Sequence, residues 1–225
     1  SDNQLGIAYR KDCVEILSYS TLFGNNAYPF AYRPPLKAEF LWSCGEIIKP
    51  FQVVNLHFKA YGDSESFARR LEASEILLSY IKNEVQQNNL VNIIAIGDFN
   101  DSLDDPQENN SLWPLVDSDD VYFVDTNIAN GSSQNWSYPS YPSHIDHILI
   151  NQNLFDEYEN SNVSTIKVDN YTGANYYQNH ISDHRPVLWE FVIEQQIAYE
   201  GLVINEIMNN PLIASDSNGE WFEII

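Results

Sequence analysis

The chain has 225 residues, 44% hydrophobic and 13% aromatic, enough apolar surface for a packed core in one large domain or one and a half. No apolar run is long enough for a membrane span, and Ser1-Asp2-Asn3-Gln4 has neither the basic nor the apolar region of a signal peptide, so a signal was removed or the sequence begins downstream of one. A formal net charge of -21 excludes nucleic-acid binding through a broad basic surface, but not a site where divalent cations supply the positive charge.

Residues 6–10, 14–20, 36–43 and 51–58 read as strands separated by turn residues. Antiparallel pairing of the second and third would bring Cys13 and Cys44 to the same end of the ladder. A disulfide suited to an oxidising compartment and two buried free thiols fit that placement equally. A helix is predicted over about 65–85, with Ser64 or Asp63 as its cap. Phe67, Leu71, Leu78, Ile81 and Val85 follow one face, leaving Arg69, Arg70, Glu72 and Lys82 to the other. Residues 91–96 form an unbroken apolar run, as in a strand buried on both faces. Residues 101–120 read as an acidic loop that Trp113-Pro114 plugs onto the body, and 145–150, 163–168 and 186–193 as further strands.

Where these strands run out, chemistry-bearing residues recur. Asn55-Leu56-His57, Gly97-Asp98-Phe99-Asn100, Ser143-His144-Ile145-Asp146-His147 and Ser182-Asp183-His184-Arg185-Pro186 each place a carboxylate, an imidazole or an amide at a strand end. Hydrolysis of a phosphodiester requires neutralised phosphoryl charge, an activated water and help for the leaving oxygen. Carboxylates with an amide are the hard-oxygen set suited to Mg2+, Mn2+ or Ca2+. Asp98 and Asn100 alternate along the chain and so face one side. Asp183 and His184 are adjacent and point apart, so Asp183 is free for a metal while another carboxylate, Asp146, orients His184. Taken alone, His57 reads as a core histidine, His180 as a surface one, and His144 and His147 as structural or substrate-edge groups. The five histidines make no zinc pattern, and there is no Cys-x-x-Cys pair.

With Arg33-Pro34-Pro35-Leu36 and Ile145-Asp146-His147-Ile148-Leu149 added, these motifs in this order resemble the endonuclease/exonuclease/phosphatase superfamily, the DNase I-like fold. The resemblance covers 1–193 and implies a four-layer α/β sandwich of two packed sheets flanked by helices. It implies that Asp98 and Asn100 face the phosphate and metal, that Asp183 is a metal ligand, and that His184 activates water or binds phosphate, oriented by Asp146. It also implies that His57 assists the leaving oxygen and that Arg33 steadies the phosphate. The family's early Asn and Glu motifs precede the strand at 6–10, so the N-terminal strands are expected to be missing and the chain by itself to be inactive.

Residues 194–201 read as a linker, and Leu202-Val203-Ile204-Asn205-Glu206-Ile207-Met208 with Gly219-Glu220-Trp221-Phe222 resembles the opening of a bacterial lamin-tail domain, here a partial β-sandwich over 202–225. The resulting expectation is a secreted or cell-surface bacterial nuclease that uses Mg2+, or Mn2+ or Ca2+, on DNA or RNA. No stable protein partner and no transmembrane segment are expected, and the lamin-tail piece would serve for attachment. A sphingomyelinase-like phospholipid phosphodiesterase and a non-catalytic surface-binding protein on the same scaffold are the alternatives.

Overall fold

The computed structural model describes residues 5–45 and 47–193 in full, and 202–208 and 221–224 as backbone. Its larger sheet is built from β2 (Val14–Thr21), β3 (Leu36–Cys44), β4 (Ile47–His57), β5 (Ile93–Asp98), β6 (Val121–Phe123) and β7 (Asp146–Asn151), in the order β2-β3-β4-β5-β7-β6. The second sheet runs β1-β11-β10-β9-β8, where β1 is Ala8–Tyr9, β8 Asn162–Thr165, β9 Val187–Phe191, β10 Leu202–Met208 and β11 Trp221–Ile224. The two sheets pack face to face. Val53, Ile94, Ile96 and Ile148 of the first share one core with Val187, Trp189 and Phe191 of the second.

The β4–β5 crossover is α1 (Ser64–Gln87), which makes that pair parallel. Asp63 caps it, its side chain accepting from the backbone N–H of Glu65 and Ser66 at 3.1 and 3.0 Å. Ala73, Leu77 and Ile81 pack on Val54, Leu56, Ile93, Ala95 and Leu149, forming a second core on the outer face of the larger sheet. Central strands β5 and β7 are buried along their whole length, whereas edge strand β2 is exposed over most of its own. None of the helices is long and apolar enough to cross a membrane, among the described residues.

Two expectations change, and one of the two readings left open for the cysteines is taken. The buried face of α1 is turned from the predicted one and takes in Arg69 and Arg70, because their guanidinium groups cap backbone carbonyls of neighbouring loops. Hydropathy periodicity cannot register that kind of burial. Residues 121–123 are a strand on β7, and the acidic segment is anchored by buried Leu112 and Leu115, with Trp113 and Pro114 only half-buried. Cys13 and Cys44 reach the same ladder end but are free thiols. Val14 pairs with Trp42, so Cys13 lies opposite Ser43, whose N–H donates to the Cys13 carbonyl at 2.8 Å. The linker at 194–201 and the stretch 209–220 lie outside the described residues. The backbone of β10 pairs antiparallel with β9, placing Leu202 opposite Phe191.

Candidate active site

Register brings the site together. His57 at the end of β4 pairs with Asp98 at the end of β5, and Asp98 pairs with Asp146 at the start of β7. Three chemistry-bearing residues therefore stand level across neighbouring strands. Gly97 makes the approach of β4 and β5 feasible: its φ is 135°, and a Cβ there would lie 1.9 Å from the Leu56 carbonyl oxygen. Past the strand the chain turns sharply at Asn100, φ 54°, whose N–H donates to Asp98 Oδ1 at 2.8 Å. Phe99 points the other way, into the core, edge-on to Phe58 and Phe123.

His57 Nε2 lies 3.3 Å from Asp98 Oδ2, and its Nδ1 is 2.8 Å from Arg33 Nη1. A guanidinium only donates, so Nδ1 is the acceptor and the ring proton sits on Nε2, facing Asp98. The other terminal nitrogen of Arg33 donates to the Phe58 carbonyl at 3.0 Å. Arg33 lines the cleft, but both its Nη atoms are directed to protein groups.

On the other side of Asp98, His184 Nδ1 lies 2.7 Å from Asp146 Oδ2. Its Nε2 is left for the cleft. Tyr138 stacks on the ring, centroids 4.6 Å apart, and the Tyr177 hydroxyl donates to the His184 carbonyl at 2.8 Å. Ligand atoms of Asp98, Asp146 and His184 lie within 4.8 Å of one another. Burial disfavours a charged His184, but the charge and hydrogen bond of Asp146, with Asp98 and Asp183 behind it, outweigh burial and raise its pKa to about 10. Burial would raise Asp146, yet the charge and hydrogen bond of His184 hold it below the usual carboxylate range. Asp98 is pushed up, by burial first and by Asp146 in addition, while His57 and His184 pull against the shift without cancelling it.

The cleft above these groups has a volume of about 960 Å³ and is lined by Arg33, His57, Asp98, Asn100, Tyr138 and His184 among others. Asn100 donates from Nδ2 to the Phe58 carbonyl at 3.2 Å, leaving a second amide hydrogen and Oδ1 for a ligand. Asp183 stands outside the close triplet, but its charge reaches His184 and Tyr138. Its Oδ1 is buried without a hydrogen-bond partner among the described residues.

His147 lies on the face of β7 opposite Asp146 and His144 just ahead of the strand, and both bind Asp125, a residue without any motif to announce it. Asp125 Oδ2 is 2.9 Å from His144 Nε2 and 2.6 Å from His147 Nδ1, and Oδ1 accepts from the Ile148 N–H at 2.9 Å. His147 Nε2 reaches the Asp101 carbonyl at 2.9 Å, so this satisfied network braces the loop that follows Asn100. His180 is exposed and stacks on Tyr176.

No family profile and no curated protein sequence matches the chain. Solved structures do. A mannosyl-6-phosphatase of Bacteroides thetaiotaomicron superposes with a TM-score of 0.52 at 18% identity, over 82% of this chain and 69% of that one. D. rerio TDP2 complexed with a single-strand DNA product gives 0.52 at 14%, over 78% and 67%. The chain has the endonuclease/exonuclease/phosphatase fold. The human Nocturnin catalytic domain with bound sulfate is also similar, at a TM-score of 0.45 and 15% identity over 68% of this chain, and the chain spans 52% of its length. It spans 64% of truncated Caenorhabditis elegans TDP2.

Proposed function

We propose that the chain is a divalent-metal-dependent phosphodiester hydrolase acting on nucleic acid. The observation that carries this reading is the convergence of two histidines, each held in one orientation by its own partner, on Asp98 in a single cleft. The DNA product held by D. rerio TDP2, which shares the fold, supports the choice of substrate.

Asp98, Asn100 and Asp183 would hold the cation. Their oxygens are the hard donors that Mg2+, Mn2+ or Ca2+ take, and the unpartnered buried oxygen of Asp183 is one that a cation would satisfy. When bound, such an ion neutralises charge on the phosphoryl oxygens. The chain's own residues do the rest. His184, anchored through Nδ1 on Asp146, donates from Nε2 to a phosphoryl oxygen, and Tyr138 shields its face from water. Asp98 lies between both imidazoles, where it accepts the proton of the attacking water. His57, held by Arg33 as a neutral imidazole with its one proton on Nε2, offers that N–H as a hydrogen bond to the leaving oxygen without giving the proton up, and the leaving oxygen takes its proton from solvent. Arg33 then serves by positioning His57 and adds charge to the cleft wall.

The acidic composition and the likeness of 202–225 to a lamin-tail opening support a site of action outside the cell or on its surface. The test is to incubate the full chain with single-stranded and duplex DNA, RNA, sphingomyelin and a hexose 6-phosphate, with Mg2+, Mn2+, Ca2+ or a chelator. Metal-dependent cleavage of an oligonucleotide is the expected result in the chain joined to the N-terminal strands that the family motifs call for. Turnover of the sugar phosphate or the lipid alone would overturn the assignment.

A further inference from the structure

Two tyrosines on the wall of the cleft take no part in the chemistry above. Tyr61, on the loop after β4, and Tyr141, on the loop before β7, both line the cleft and are both 76% exposed. An exposed aromatic is unremarked in itself, but Tyr61 has a φ of 84°, a backbone conformation that a bulky residue adopts only when its surroundings enforce it. Here a buried arginine does so: Arg70 Nη1 donates to the carbonyls of Lys59 and Tyr61 at 2.9 and 2.7 Å, and its Nε is held by Ser111 Oγ at 3.1 Å. The backbone that carries Tyr61 is therefore held, at the cost of backbone strain and a desolvated guanidinium. Tyr141 is displayed on a tight hairpin closed by both hydrogen bonds between Tyr138 and Ser143, and Tyr138 itself packs on His184.

We propose that Tyr61 and Tyr141 are the base-stacking subsite of this cleft and that the substrate is a single strand, with unpaired bases lying on the two rings. The inference rests on the nucleic-acid reading given above. With a net charge of -21 the chain has little positive charge with which to hold a polyanion, so affinity needs contacts beyond those to phosphate, and aromatic rings offer them to any unpaired base. Lys59 decides against a choline headgroup. Its Nζ sits 4.4 Å from the centre of the Tyr61 ring, where it repels a quaternary ammonium and suits the phosphate flanking a stacked base. In a duplex the bases are already stacked on each other and cannot reach the rings.

The decisive measurement is a fluorescence titration of a trinucleotide containing 2-aminopurine against the full chain in chelator, which binds without cleavage. Quenching is expected. Tyr61→Ala should weaken binding about tenfold and Tyr141→Ala by a similar factor, while Tyr61→Trp should bind at least as tightly as the parent. Equal affinity of Tyr61→Ala and the parent would overturn the subsite. So would an abasic trinucleotide or choline phosphate that competes as well as the base-bearing probe. In cleavage of a single-stranded oligonucleotide, Tyr61→Ala should raise KM about tenfold with kcat within about twofold, and unchanged KM would overturn the proposal. Tyr61-dependent binding by a protein that cleaves no phosphodiester would remove the hydrolase reading and leave the subsite standing. Cleavage unaffected in both alanine variants would do the reverse.

Discussion

Arg33 Nη1 lies 2.8 Å from His57 Nδ1, and this one contact sets which nitrogen of the imidazole faces Asp98 with a proton. Lysine at position 33 would keep the charge but not the fork that reaches both His57 and the Phe58 carbonyl. Arg33→Lys should therefore lower kcat by about tenfold to a hundredfold, and 15N shifts of His57 should report a mixture of tautomers. Retention of a pure Nε2–H form in that variant would show that Arg33 does not select it.

Asp146 would serve the reaction chiefly by holding His184, at 2.7 Å. Asp146→Asn and His184→Ala should each cost about a hundredfold to ten-thousandfold in turnover, and the double variant little more than either alone. Multiplicative losses in the double variant would mean that the two residues act separately. Asp98→Ala should be at least as damaging as either.

The oxygen set of Asp98, Asn100 and Asp183 predicts that chelation abolishes turnover and that Mg2+ or Mn2+ restores it. A measurement independent of turnover is available. Millimolar Mg2+ should raise the melting temperature of the parent, and Asp183→Asn should weaken that response about tenfold to a hundredfold in metal concentration. An undiminished response in Asp183→Asn would remove it from the ligand set.

Stability should depend on pH through the buried Asp125 network. Burial opposes the charge on Asp125, but His147 and the hydrogen bonds from both histidines outweigh it and hold the carboxyl well below its ordinary 3.8. A depressed carboxyl contributes stability above pH 3.8 that is lost as pH falls towards its folded value. Burial likewise opposes the charge on His147, and Asp125 raises it above 6.5 nonetheless, so its contribution is complete below pH 6.5 and is lost as pH rises through the folded value. Melting temperature should thus peak between these limits and fall on both sides in a scan from about pH 3 to 9. Asp125→Asn should destabilise by about 3 kcal/mol or more and flatten the profile. A profile identical to that of the parent would place the pH dependence elsewhere.

What could be read in the sequence was what strand ends announce locally. Asp98, Asp146 and His184 follow or begin apolar runs, so position alone sends them to one side of the sheet, and His57 gains meaning only from the register that sets it opposite Asp98. Asp125 was invisible because its partners lie 19 and 22 residues further along and are brought to it by the β6–β7 pairing. Arg70 falls on the face opposite the apolar one because hydropathy scores its charge, whereas its burial is decided by two carbonyls of a loop that the helix pattern does not contain. Tyr61 carries no sequence signal at all, since nothing in Lys59-Ala60-Tyr61-Gly62 foretells a positive φ at the tyrosine.

Gly97, pressed against the Leu56 carbonyl, has a consequence for how such a protein can change. Two adjacent strands that touch backbone to backbone cannot slide or gain a residue without losing the alignment of His57, Asp98 and Asp146, so the reacting groups are inherited as one inflexible piece. The segments bearing Tyr61 and Tyr141 begin beyond the ladder, and their tips can lengthen, shorten or be exchanged between the anchors that Arg70 and the Tyr138–Ser143 pair supply. Grafting either loop from another protein of this fold should therefore alter what is recognised while the bond-breaking apparatus passes through untouched.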